Sequence, residues 1–292
     1  MSVGATPTID VTLARRLVDT QFPRWAGLPL RPHDPAGSDH VIYRLGDELS
    51  VRLPRHDGAI DQARKEAEWL PRLAPHLPLA VPVPVEVGEP DFGYPWPWAV
   101  SRWLNGEVAT VEALSGSHEA AEALAEFLQA LHRFDAEPAD AAAPLSARDV
   151  ATRSAIAEVP FDRARMTELW DAALAAPHQD PVWRHGDFHT GNLLTTGGRL
   201  SAVIDFGEFG VGDPALDLII AFTLLSAGTR ATFRAALGVD DATWTRGRGW
   251  ALATGLNAYV HHAAVNPRVA EQTTRQITQA LADEGPHRST PA

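Results

Sequence analysis

The run His185-Gly186-Asp187-Phe188-His189-Thr190-Gly191-Asn192 sets a carboxylate and an amide in one glycine-bearing turn, and Asp205-Phe206-Gly207 follows with a second carboxylate. This order of acid, amide and acid is the one phosphoryl transfer requires. One carboxylate, Asp187, orients a hydroxyl and accepts its proton. The other two side chains, Asn192 and Asp205, offer the oxygen donors that Mg²⁺ prefers while it keeps water and phosphate in its remaining positions. The same turn admits a rival reading, because His185, Asp187 and His189 are all ligand types for zinc, although no further histidine cluster completes such a shell.

These residues need elements to hold them. Leu193-Leu194-Thr195 and Leu200-Ser201-Ala202-Val203-Ile204 pair as strands across Thr196-Gly197-Gly198-Arg199, and that hairpin brings Asn192 and Asp205 to the same end. Asp213-Pro214 reads as a helix start, with Asp213 and Asp217 in structural roles that brace the preceding turn. Upstream, 41–45 and 49–53 read as strands joined at Gly46-Asp47, and 60–73 has helical spacing until Pro75 and Pro78 end it. Further strands are expected at 81–87 and 98–104, with prolines around them, and a short loop at 35–39. From 120 to 134 an Ala/Leu-rich helix opens a different, mainly helical region. In that region Trp250, Tyr259, His261 and His262 lie on helices, where core packing or an exposed face is the expectation. The fold class is therefore α+β and two-lobed: a small β-rich lobe with one prominent helix over 1–104, and a larger helical lobe over 105–292.

The composition narrows the partners. The 292 residues carry a formal net charge of -12, which argues against nucleic acid or an anionic membrane and mildly favours a cationic small molecule. No cysteine is present, so disulfides and thiolate metal sites are excluded. No basic stretch followed by an apolar run opens the chain, and the longest apolar run, 216–225, is interrupted by Asp217 and too short to cross a bilayer. A cytoplasmic location is the default expectation. Lys65 is the only lysine.

His185-Gly186-Asp187-Phe188-His189-Thr190-Gly191-Asn192, Ile204-Asp205-Phe206-Gly207 and Gly212-Asp213-Pro214-Ala215-Leu216-Asp217-Leu218 together resemble the aminoglycoside phosphotransferase family, over about residues 35–225. The resemblance implies a protein-kinase-like fold and transfer of the γ-phosphate of ATP or GTP to a small-molecule hydroxyl. It makes Asp187 the catalytic aspartate and Asn192 and Asp205 the Mg²⁺ ligands. It also implies a strand lysine that binds phosphate and pairs with a helix glutamate. Here the strand position holds Arg52, whose guanidinium can also bind phosphate; Glu66 resembles the partner, with Glu68 the alternative. Ser38 and nearby amides would cover the phosphates, the segment from Ser101 to Trp103 would hydrogen-bond the base through its backbone, and Glu208 would face a substrate amine. An aminoglycoside or similar antibiotic leads as acceptor, against a macrolide, a peptide antibiotic or a metabolite such as choline, a sugar or homoserine. A catalytically silent nucleotide-binding module is the reading from another class.

Overall fold

The computed structural model describes residues 8–33, 39–135 and 142–283. The chain forms two compact units, Met1–Gly106 with Ala202–Glu208, and Glu107–Ser201 with Phe209–Ala292.

The first unit begins with helix α1 (Val11–Gln21), started by the Asp10 carboxylate, which accepts from Leu13 N at 2.8 Å. Strands β1 (Leu30–Pro32), β2 (His40–Leu45) and β3 (Leu49–Pro54) follow, then helix α2 (Ile60–Leu73) and strands β4 (Pro84–Gly88) and β5 (Trp98–Arg102). They form one antiparallel sheet in the order β1-β2-β3-β5-β4. Gly46 turns β2 into β3 at φ +59°, a left-handed conformation that glycine adopts without a Cβ penalty. Alternate residues of this sheet, among them Tyr43, Leu45, Val51 and Val100, pack against Ala14, Leu17 and Val18 of α1. The expected strand at 81–87 begins only at Pro84, because Pro82 and Pro84 have no N–H to give a ladder, and it lies at the sheet edge. Ala202–Glu208, which sequence alone assigns to the second lobe, belongs to this unit: Val203 N donates to Ala80 O at 2.9 Å, and Ala80 and Ala202 form a parallel bridge.

The second unit contains β6 (Glu107–Val108), α3 (Val111–Leu114), α4 (His118–His132), α5 (Asp149–Glu158), α6 (Arg163–Ala175), β7 (Val182–Arg184), β8 (Leu193–Thr196), the first three residues of β9 (Arg199–Val203), β10 (Gly210–Gly212), α7 (Ile219–Thr223), α8 (Ala227–Leu237), α9 (Asp241–His262) and α10 (Pro267–Ala282). Helix α4 starts two residues ahead of its apolar pattern because Ser117 caps it, accepting from Ala120 N at 3.1 Å. Two short ribbons, β6-β8-β9 and β10-β7, carry the turns of interest.

Helix α9, 22 residues long, is the hub of this unit and touches its neighbours through glycine. A Cβ at Gly249 would stand 2.4 Å from the Ala173 Cβ of α6, and one at Gly247 would stand 2.7 Å from the Leu218 Cβ. Neither contact leaves room for a methyl group. Gly249→Ala is therefore expected to destabilise the protein by about 1–3 kcal/mol, seen as a lower urea midpoint. The same change at Gly228 of α8, which faces open space, should leave the midpoint in place or raise it.

Candidate active site

The turn 185–192 is built from the inside of the second unit. After β7 the chain enters at His185, which is fully buried, and Gly186 takes φ +90°, where a side chain would be strained. The buried Asp217 carboxylate holds this entry with both oxygens: Oδ2 accepts from His185 N at 2.7 Å and Oδ1 from Gly186 N at 2.8 Å. Asp217 sits on the 3-10 turn Pro214–Leu218, whose start is capped by Asp213 accepting from Ala215 N at 3.0 Å. Asp213 is in turn gripped by α9, through Arg246 at 3.2 Å and Trp250 Nε1 at 3.2 Å. Phe188 anchors the other side, stacked on Phe127 of α4 with centroids 5.6 Å apart.

This scaffold presents Asp187 half-buried. Its Oδ2 accepts from Asn192 Nδ2 at 3.0 Å and lies 3.4 Å from His189 Nε2, while its carbonyl also accepts from Asn192 Nδ2 at 2.9 Å. His189 Nδ1 accepts from Gly191 N at 3.0 Å, which leaves the ring proton on Nε2, facing the carboxylate. Burial pushes the Asp187 carboxyl upward, but the hydrogen bond and charge of His189, the nearby His185 ring and the Asn192 amide outweigh it and hold it below the usual aspartate range. Asp187 is thus ionised near neutral pH, with Oδ1 unengaged by the protein. The zinc rival is not supported by these roles: both His185 and His189 use Nδ1 to accept turn amides. Among the described residues no group of three or more His, Asp or Glu is arranged to hold a metal.

In the first unit Arg52 of β3 and Glu66 of α2 meet in a buried ion pair, Nη1 to Oε2 at 2.8 Å. Glu68, the alternative partner, lies instead within 4.0 Å of Arg72. Burial raises the Glu66 carboxyl above its ordinary value; Arg52 opposes this and the Asp205 charge adds to it, so Asp205 stands within electrostatic reach of the pair. Glu66 Oε1 is buried without a hydrogen-bond partner. His40, on β2, is pushed down to about 3 by burial and then by Arg52, and is neutral. Asp205 and Phe92 are the only described non-glycine residues with positive φ, Asp205 at +63°, and aspartate tolerates that region better than most side chains. Its carboxylate is exposed and engaged by no hydrogen bond among the described residues.

Two oxygen donors therefore suit Mg²⁺ by chemistry: the Asp205 carboxylate and Asn192 Oδ1, whose amide nitrogen is already committed to Asp187.

Other expectations fare differently. Ser38 lies outside the described residues. Ser101 is fully buried, with its Oγ unpartnered. Two amides of the Ser101–Trp103 stretch are used within the first unit: Arg102 N donates to Val83 O at 3.0 Å and Trp103 N to Glu48 O at 2.8 Å. The next amide, Leu104 N, has no partner among the described residues. Trp103 is held between the His33 ring, 5.0 Å away, and the Arg44 guanidinium, also at 5.0 Å.

Beside Asp187 the second unit forms an open cavity of about 720 Å³, lined from the 186–190 turn, α3, α7, α9 and α10. Glu208 is not among its lining residues, and of the four aromatic and histidine candidates only His262 is. Trp250 is spent on Asp213, Tyr259 packs on Phe161 with centroids 5.2 Å apart, and His261 Nδ1 lies 2.8 Å from Asn257 O. Sequence reasoning did not find the lining from α10, whose polar residues carry no motif. His189 was legible only as a zinc ligand type, although its spacing from Asp187 was the available signal.

The sequence profile of the phosphotransferase enzyme family matches residues 31–250. No curated protein matches the chain. Among solved structures, a GDP complex of wild-type aminoglycoside 2'-phosphotransferase-IIIa aligns with TM-score 0.73 and 19% identity over 94% of this chain and 100% of that one. A macrolide 2'-phosphotransferase from Brachybacterium faecium aligns with TM-score 0.63 and 22% identity over 96% and 99%. A choline/ethanolamine kinase family protein from Mesorhizobium loti aligns with TM-score 0.60 and 20% identity over 94% and 95%. At these identities the likeness shows the fold, a β-sheet N-terminal region and a helical C-terminal region of protein-kinase-like type. Among the described residues no helix is long and apolar enough to cross a membrane.

Two outcomes follow from the geometry. Asp217→Asn removes one acceptor from the pair of buried amides and should cost about 1–3 kcal/mol of stability in a denaturant titration. His189→Ala removes groups that favour ionised Asp187 and leaves burial in place, so the Asp187 carboxyl should titrate at higher pH by ¹³C NMR; an unmoved curve would remove His189 from that role.

Proposed function

The chain belongs to the phosphotransferase enzyme family, and from that premise we propose that it moves the γ-phosphate of ATP or GTP onto a hydroxyl of a small molecule bound in the cavity beside Asp187. The observation that carries this reading is the braced turn itself: a carboxylate with one oxygen fixed by Asn192 and His189 and the other unengaged, lining a cavity of about 720 Å³. That volume falls within the range of ordinary small-molecule sites.

In the reaction as proposed, Asp187 Oδ1 accepts a hydrogen bond from the acceptor hydroxyl and fixes its approach. The hydroxyl oxygen forms a bond to the γ-phosphorus as the bond from that phosphorus to the β,γ-bridging oxygen breaks. The hydroxyl proton passes to Asp187, and the nucleoside diphosphate leaves. A carboxyl held below the usual aspartate range is a weak base, which suits a loose transition state in which the hydroxyl gives up its proton late. Arg52, kept in place by Glu66, neutralises phosphate charge, and Leu104 N is the amide we assign to the nucleotide base. Asn192 and Asp205 would hold Mg²⁺, which supplies charge neutralisation on the phosphates. The intact Arg52–Glu66 pair favours turnover over the silent nucleotide-binding module. We place the protein in the cytoplasm, where nucleoside triphosphates are held.

Asp187→Asn keeps the turn nearly isosteric but removes the base. It should lower phosphate transfer by about 100-fold or more while nucleotide-induced thermal stabilisation persists. Nucleoside diphosphate release in the presence of acceptor is the readout, and full activity in the variant would sink the assignment.

A further inference from the structure

The chemical class of the acceptor can be read from where charge sits around the cavity, an inference that rests on the phosphotransferase reading of that site. A chain of net charge -12 offers many carboxylates, yet few are spent here. Glu112 and Glu271 line the cavity, and Arg268 and Arg275 oppose them. Glu112, Glu271 and Arg268 are exposed, at the rim. Arg275 is turned into the protein, donating to the carbonyls of Thr223 at 3.1 Å, Leu224 at 3.0 Å and Leu225 at 3.1 Å. Besides Asp187, which the reaction needs, the floor carries no carboxylate among the described residues.

What the floor does carry is neutral. Ile219 and Phe188 are buried apolar surface. Thr273 Oγ1 donates within its own helix to Val269 O at 2.7 Å. Gln276 is buried and held by both donors of its amide, to Ala251 O and Thr254 Oγ1, each at 2.8 Å. Its Oε1 is thereby fixed as an acceptor, suited to a hydroxyl. Several ammonium groups passing the rim to reach this floor would lose water and meet no carboxylate there besides Asp187, and that loss is large for charged groups.

We infer that the acceptor is a hydroxyl-rich molecule of low net charge with an apolar face, carrying at most one ammonium group, and that Gln276 reads one of its hydroxyls. A compound with many ammonium groups is not the preferred substrate of this cavity.

The test compares a panel of neutral alkyl glycosides and single-amine macrolides with a panel of aminoglycosides including kanamycin. It uses ATP and GTP at two ionic strengths, with calorimetric binding to the Asp187→Asn protein in parallel. The best low-charge acceptor should exceed the best aminoglycoside in kcat/KM by about 10-fold or more, and its kcat/KM should change by less than about 2-fold with salt. Gln276→Glu, which sets a carboxylate in the floor, should narrow that ratio by about 10-fold. The exposed Arg268→Glu, at the rim, should narrow it by less than about 3-fold and checks against a folding defect at Gln276. Faster transfer to an aminoglycoside with steep salt dependence would overturn the inference and leave the phosphotransferase reading standing. Binding of a low-charge compound without transfer by the unmutated protein would do the reverse. No binding by any low-charge member would overturn the inference outright.

Discussion

The Asp217 carboxylate, buried beneath the turn that carries Asp187, is the constraint on which the site depends. A carboxylate in that position is tolerable only because each oxygen accepts a main-chain N–H, from His185 and Gly186, at 2.7 and 2.8 Å. Those two bonds fix where the chain leaves β7, and Gly186 at φ +90° then points Asp187 outward. Asp217 is itself held at second hand, since Asp213 at the head of its turn is bonded to Arg246 and Trp250 of α9. A long helix of the second unit is thus tied, through two aspartates, to the orientation of one carboxylate.

The first unit solves a different electrostatic problem with a different pair. With a single lysine in the chain, the strand position opposite Glu66 is filled by arginine, and the pair is almost wholly out of water. Burying both charges is costly unless each is matched. One Glu66 oxygen meets Arg52 and the other has no partner, and the nearby Asp205 charge makes Glu66 harder still to ionise. Divalent positive charge at Asp205 would relieve that repulsion, and phosphate would engage the donors of Arg52 that Glu66 leaves over.

Much of this was legible in the sequence, for identifiable reasons. Asp187, Asn192 and Asp205 stand out because their spacing is dictated by chemistry rather than by packing. Arg52 and Glu66 were legible through the family resemblance, as the strand and helix positions that match its phosphate-binding lysine and partner glutamate. The bracing role of Asp213 and Asp217 was readable because a helix start favours acidic side chains. Which amides of the 101–103 segment stay free was not legible, since whether one such as Trp103 N is free depends on a carbonyl distant in sequence, that of Glu48. The cavity beside Asp187 was beyond reach for the same reason. Its floor is assembled from α7, α9 and α10, whose Thr and Gln residues look ordinary until folding sets them side by side.

The left-handed backbone at Asp205 has an evolutionary consequence. Among side chains only asparagine and aspartate visit that conformation readily, and their codons differ by a single base. A lineage carrying this fold therefore stands one nucleotide substitution from a relative with the same backbone and a neutral amide at this position. Such a relative would lack the carboxylate that we propose holds Mg²⁺ and would differ at that one residue.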